Sequence, residues 1–212
     1  MIKLLDILRE DNKILTTRRT PEERQKNYNI ARDKQKALIQ KKIADYAKDP
    51  SGNLELKELD FNITLPDNLY VHGSLDLYGT EIEQLPKGLK IMGTLGVRFC
   101  KKLKEIPEDI EIIHDLDMEY TSLIRTLPDN LTVHTLWASR SNLQSLPNNL
   151  TTREDIWANN TFLKDIGKNL KVHGDLRIRQ TPISKEFEPE DILIGIKHNG
   201  GFVKGEIIGG GS

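Results

Sequence analysis

Cysteine is almost missing from this chain: Cys100 is the only one in 212 residues. A single thiol excludes an intrachain disulfide and suits a reducing compartment. Aromatic residues are sparse at 6%, and only two of them are tryptophan. No stretch approaches the roughly 18 apolar residues of a membrane-spanning helix, and the N-terminus lacks the long apolar run of a secretory signal peptide. These absences predict a soluble protein made in a cytoplasm. Apolar residues reach only 37% and charged residues 30%, the balance of a thin body with a narrow core under a large surface. The net charge of −1 gives no global attraction to nucleic acid or membrane. The charge is unevenly placed, however: residues 1–50 carry 13 Lys and Arg against 8 Asp and Glu.

Repetition is what the chain has in quantity. From Leu65 to Lys185 six units follow one another, the first reading LPDNLYVHGSLDLYGTEIEQ and the last IGKNLKVHGDLRIRQTPISK. Pro66, Pro86, Pro107, Pro128 and Pro147 mark the units at spacings of 19 to 21 residues, and Gly167 takes the sixth place. A fixed period of this length predicts a solenoid, in which each unit buries its apolar side only against its neighbours. Three columns are uniformly apolar: Leu69 to Leu170, Leu75 to Leu176, and Leu77 to Ile178. Alternation within Leu-x-Leu is strand-like, one side chain inward and the next outward. Thr80, Thr121, Thr161 and Thr181 follow three positions later, where a small polar side chain can satisfy backbone groups as the chain leaves the strand.

The flanks read differently. Residues 1–18 begin with a short amphipathic stretch, Met1–Arg9. Within residues 19–50, Thr20, Pro21 and Glu23 form a capping-box signature for a helix that Asp49-Pro50-Ser51-Gly52 ends. Its position before the repeats predicts an N-terminal α-helical cap. Leu54 and Leu56 look like an incomplete unit, so the solenoid is assigned to residues 53–185. In residues 186–208 the apolar runs Ile192–Ile196 and Phe202–Val203 flank His198-Asn199-Gly200-Gly201, a hairpin signal, and a C-terminal β-hairpin cap is expected. Residues 209–212, Gly-Gly-Gly-Ser, have flexible-linker composition.

The units resemble the leucine-rich repeat family, in its short bacterial class with Leu-Pro at each turn. Leu75-Asp76-Leu77-Tyr78-Gly79-Thr80-Glu81-Ile82 carries the closest match. The chain departs from that pattern by Thr in the Asn column and by two extra residues at Val71-His72-Gly73, which points to a straighter coil, closer to a β-helix. The resemblance implies a mainly β solenoid with one short strand per roughly 20-residue coil, serving as a binding scaffold without catalysis. Similar repeats are familiar from phage proteins. The opening MIKLLDILRE is similar to the N-terminal tags of internal head proteins of large contractile-tailed phages. That similarity implies cleavage after Leu8-Arg9-Glu10 and a location in host cytoplasm or virion.

Candidate sites follow from stacking the units. Between the two Leu positions the outward column runs Asp76, Gly96, Asp117, Trp137, Trp157, Arg177, and the next runs Tyr78, Arg98, Glu119, Ser139, Asn159, Arg179. Neighbouring tryptophans beside arginines are hot-spot composition for a protein interface, so Trp137, Trp157, Arg177, Arg179, Ser139 and Asn159 are the expected binding residues. Nucleic-acid binding is the alternative, with the basic N-terminal helix and the Arg pair on phosphates and the Trp pair on bases. A structural virion component is a third reading. His72, His134 and His173 share a repeat position, with His114 one place along, but the intervening units separate the aligned rings by roughly 10 Å, too far for one metal ion. Asp109, Glu111, Asp115, Asp117 and Glu119 read as a solvated acidic stripe. Cys100 reads as a buried thiol. No metal, cofactor or catalytic set is expected.

Overall fold

The computed structural model describes residues 20–209. The segment 1–18, with Leu8 and Glu10, lies outside the described residues. The chain divides into two compact units, Met1–Asp49 and Pro50–Ser212. In the first, helix α1 spans Pro21–Lys48. Its start is fixed as the sequence signature requires: Thr20 Oγ1 accepts from the Glu23 amide at 3.2 Å, and Glu23 Oε2 accepts from the Thr20 amide at 2.9 Å. Ala31, Gln35, Ile39 and Ile43, four residues apart, form its buried stripe.

The second unit is a parallel β-solenoid. One sheet of eight two-residue strands runs its length: Leu54–Glu55, Leu75–Asp76, Leu95–Gly96, Leu116–Asp117, Leu136–Trp137, Ile156–Trp157, Leu176–Arg177 and Ile207–Ile208. Each strand pairs in parallel with the next, Leu opposite Leu or Ile. The one-strand-per-coil expectation needs correction, because each full coil adds a second strand such as Tyr70–Val71 or Lys90–Ile91. The cause is the extra Val-His-Gly step, which supplies a further buried column: Val71, Ile91, Ile112, Val133, Thr152 and Val172 are all at most 5% exposed. This second face is interrupted once. It forms a three-stranded and a four-stranded sheet, which part between Glu111–Ile112 and Thr132–Val133, where the fourth unit is one residue short before its leucine. Inside, Leu75, Leu95, Leu116, Leu136, Ile156 and Leu176 are completely buried, and each contributes about 1.5–3 kcal/mol.

Corners hold the coils in step. Asn68, Asn130, Asn149 and Asn169 adopt left-handed backbone, with Gly88 and Gly200 in the same column. Asparagine tolerates this region better than other side chains. Here it also links coils: Asn149 Nδ2 donates to Asn130 Oδ1, and Asn169 Nδ2 to Asn149 Oδ1, both at 2.9 Å. At another corner Phe99, Tyr120 and Arg140 are left-handed too, and their amides donate to Glu119, Ser139 and Asn159 carbonyls in the next coil. Three of the four column threonines behave as expected: Thr121, Thr161 and Thr181 donate Oγ1–H to the carbonyl three residues back at 2.7–2.9 Å, whereas Thr80 Oγ1 meets Cys100 Sγ at 3.5 Å. Gly167 replaces proline because any Cβ there would run into the Pro147 carbonyl group, while its amide donates to Leu146 at 2.9 Å.

The C-terminal β-hairpin cap does not form. Residues Pro182–Glu186 and Pro189–His198 are helices α2 and α3. Phe202–Val203 pairs in parallel with Lys171–Val172, and Ile207–Ile208 with Leu176–Arg177. The last strands are thus another coil, separated from the one before by a helical insertion. Pro189 at the first turn, Glu190 and Asp191 after it, and Lys197 and His198 at the end all favour a helix over a strand. Asn199-Gly200 is the left-handed corner of that coil, Gly200 lying at φ 82° over Asn169. Hairpin turns and solenoid corners both select residues that accept positive φ.

The asparagine corner can be tested in two steps. Asn149→Ala removes the ladder and leaves alanine at positive φ, and should lower stability to urea by about 1–3 kcal/mol. Asn149→Gly relieves the backbone and should recover part of that loss; equal losses would show that backbone strain contributes nothing there.

Candidate functional site

The outer face of the long sheet displays its columns in register. Asp117 pairs with Trp137, Trp137 with Trp157, and Trp157 with Arg177. Strand spacing brings like side chains together, and the two indoles stack with centroids 5.1 Å apart and planes at 15°. The Arg177 guanidinium lies over Trp157, 4.2 Å from the ring centroid. It is oriented by Asp175, which accepts from Nη2 at 2.7 Å, and Asp155 stands 3.6 Å from Nε. Both tryptophans are half-buried. Beneath them the core column narrows to Ala138 and Ala158, both completely buried.

The other expected binding residues divide. Arg179 is exposed beside the stack. Asn159 is half-buried, and its Oδ1 accepts from the Arg179 amide at 2.8 Å, so it orders the turn. Ser139 is 7% exposed and is not displayed for binding; it sits in the column that presents Arg98, Glu119 and Arg179, but a short side chain there stays beneath its larger neighbours.

Two features of this face escape a reading of the Trp column alone. One is an aromatic strip along the left-handed corner: Tyr78 meets Phe99 edge-on at 5.4 Å, Phe99 stacks on Tyr120 at 4.4 Å, and Arg140 Nη1 donates to the Tyr120 hydroxyl at 2.7 Å. Its members follow one another at 20 or 21 residues; Phe99, Tyr120 and Arg140 share the column one position beyond that of Tyr78, and a column alignment carried that one position further would have found them. The other is a notch at Gly96, lined by Lys57, Glu58, Asp76, Tyr78, Arg98 and Asp117 among others, with a volume of about 610 Å³.

The acidic residues of the third unit do not converge. Asp109 accepts from the Gly88 amide, Glu111 pairs with Lys90 at 2.8 Å, and Asp115 accepts from the Thr135 amide at 3.0 Å. Asp117 and Glu119 share Arg98, at 3.8 and 3.7 Å from its Nε. Burial raises the Asp117 pKa to about 6, against the lowering effect of the Glu119 amide and Arg98. His114 and His134 approach to 5.9 Å between ring centroids, yet among the described residues no group of three His, Cys, Asp or Glu side chains is placed to hold a metal ion. Cys100 is completely buried, its Sγ donating to the Leu77 carbonyl at 3.0 Å, and burial pushes its thiol pKa up. No helix among the described residues is long and apolar enough to cross a membrane. No protein-family model, curated protein or solved structure matches the chain.

Asp117 makes stability depend on pH. Its folded pKa of about 6 lies above its ordinary value of 3.8, so between these values the folded chain binds a proton that the unfolded chain does not. Acidification from pH 7 toward pH 4 therefore favours the folded state through this group, and the benefit is lost as pH rises through 6. Asp117→Asn should flatten that part of the pH–stability curve and raise stability at pH 7 by on the order of 1–3 kcal/mol. Unfolding in urea at pH 4.5 and 7 reads both effects.

Proposed function

We propose that this protein is a non-enzymatic scaffold that binds a protein partner through the outer face of its long sheet, centred on Trp137, Trp157 and Arg177 with Arg179 alongside. The stacked, half-exposed Trp pair carries the reading. Indole surface held by a neighbouring guanidinium combines large apolar area with little side-chain freedom left to lose, which is the composition of an interface hot spot. The likeness of the units to leucine-rich repeats, whose members serve as binding scaffolds, supports the same reading. The likeness of the first ten residues to phage head-protein tags supports, as part of this proposal, a setting in a phage-infected cell and then in the virion.

Nucleic-acid binding has less support on this face. A base needs a free ring face, whereas Trp157 is covered by Trp137 on one side and Arg177 on the other. The residue in register beyond Trp137 is Asp117, and Asp155 and Asp175 flank Arg177. A phosphate chain on this surface meets carboxylates.

The double substitution Trp137→Ala with Trp157→Ala should leave the solenoid folded and weaken a partner identified with the wild-type protein by about 100-fold or more. Unchanged affinity would sink the proposal. Binding that instead collapses steeply as salt is raised, with DNA or RNA as ligand, would favour the nucleic-acid alternative. In purified virions, the packaged form should begin at Asp11; mass spectrometry that finds the protein absent from particles removes the virion setting while leaving the interface intact.

A further inference from the structure

We propose that the notch at Gly96 is a receptor for a cationic side chain, an arginine or lysine, of the protein partner. The proposal rests on the scaffold reading and adds to it the chemistry of the partner.

Glycine at this place is not demanded by the backbone. Gly96 has no positive φ, and a Cβ added to it would find ordinary van der Waals distances, the nearest atom being Asp76 Oδ1 at 3.6 Å. Gly73, Gly93 and Gly205 differ, since a Cβ there would run into the backbone of the preceding coil. Glycine inside a strand weakens it. Each neighbouring rung fills the same outward column with Asp76, Asp117, Trp137, Trp157 or Arg177, and only Gly96 leaves a gap.

Charge decides what fits. Asp76 and Asp117 flank the gap in register, one rung to either side, so their Cα atoms stand roughly 10 Å apart by strand spacing. Each cation of the rim is shared by two carboxylates: Lys57 lies 2.7 Å from Asp76 and 3.7 Å from Glu55, and Arg98 stands between Asp117 and Glu119. Glu58 adds another acid to the lining. Carboxylates therefore outnumber cations, and Asp117 is poorly compensated where it sits. The same column shows how an arginine satisfies such surroundings, since the Arg177 guanidinium meets both Asp155 and Asp175. A partner's cation entering at Gly96 would lay its stem on the glycine backbone and reach both Asp76 and Asp117.

The test uses N-acetyl-arginine methylamide as probe, titrated into the full chain and followed by amide chemical shifts. Saturable changes at Thr94, Gly96 and Arg98 are expected, with none from N-acetyl-glutamate methylamide. Gly96→Val fills the notch and should weaken the probe about tenfold or more, and Asp117→Asn should weaken it about threefold or more. If Gly96→Val does not fold, Gly96→Ala and Asp76→Asn take its place with the same expectation. Shifts that do not saturate, or equal affinity in all variants, overturn the proposal. Loss of the notch with Trp-dependent partner binding intact leaves the scaffold reading standing. Conversely, probe binding at Gly96 with unchanged partner affinity in the Trp double variant removes only the Trp-centred interface.

Discussion

Everything in the solenoid depends on axial registry: each coil must bring the same backbone amides under the same carbonyls of its neighbour. Two-residue strands supply few ladder bonds on their own, so the corners between them must repeat as faithfully as the strands. Hence non-glycine residues in left-handed conformation recur at two positions of the coil. Side-chain oxygens also stand in for backbone: the Asp155 carboxylate accepts the Asp175 amide at 2.8 Å, and Asp175 in turn accepts the Glu206 amide at 2.9 Å. The last of these bonds crosses 31 residues, showing that an insertion as large as α2 and α3 is tolerated provided the chain re-enters in register. Loop closure grows only slowly more costly with length, whereas a lost register would turn buried side chains outward.

Registry also converts sequence into surface. Residues one period apart become neighbours, so a chance pair in the sequence becomes a stack or a clash. Trp137 and Trp157 stack, Phe99 and Tyr120 stack, and Lys90 pairs with Glu111. A missing side chain is equally visible, as at Gly96. The core responds as well: Ala138 and Ala158 occupy the column that holds Leu77 and Met118 elsewhere, so the coils bearing indoles outside carry less volume at this point inside.

Much of this was legible because the period is regular. The columns Leu69, Leu75 and Leu77 gave the inward face, and the Trp pair followed from counting. The N-cap of α1 was legible from Thr20 and Glu23 alone. What was not legible had physical causes. Asn199-Gly200 carries the same local preference in a hairpin turn and in a solenoid corner, and only the pairing partner distinguishes them; Phe202 turns to Leu170, in the previous coil, instead of back along its own chain. The second strand of each coil was hidden because two residues show no alternation to count. Ser139 falls in an outward column by spacing, yet burial depends on the length of the side chain and of its neighbours.

The proposed binding face gains from the same constraint that hides its details. Trp157 is fixed between Trp137 and Arg177, and Arg177 is fixed in turn by Asp155 and Asp175, themselves held by amides of adjacent coils. Side chains anchored in this way have already lost much of their rotamer freedom on folding, so association need not order them again. The shape of this face is therefore set by folding, and on the scaffold reading proposed above a partner's affinity would depend on how well its own groups fit the Trp stack.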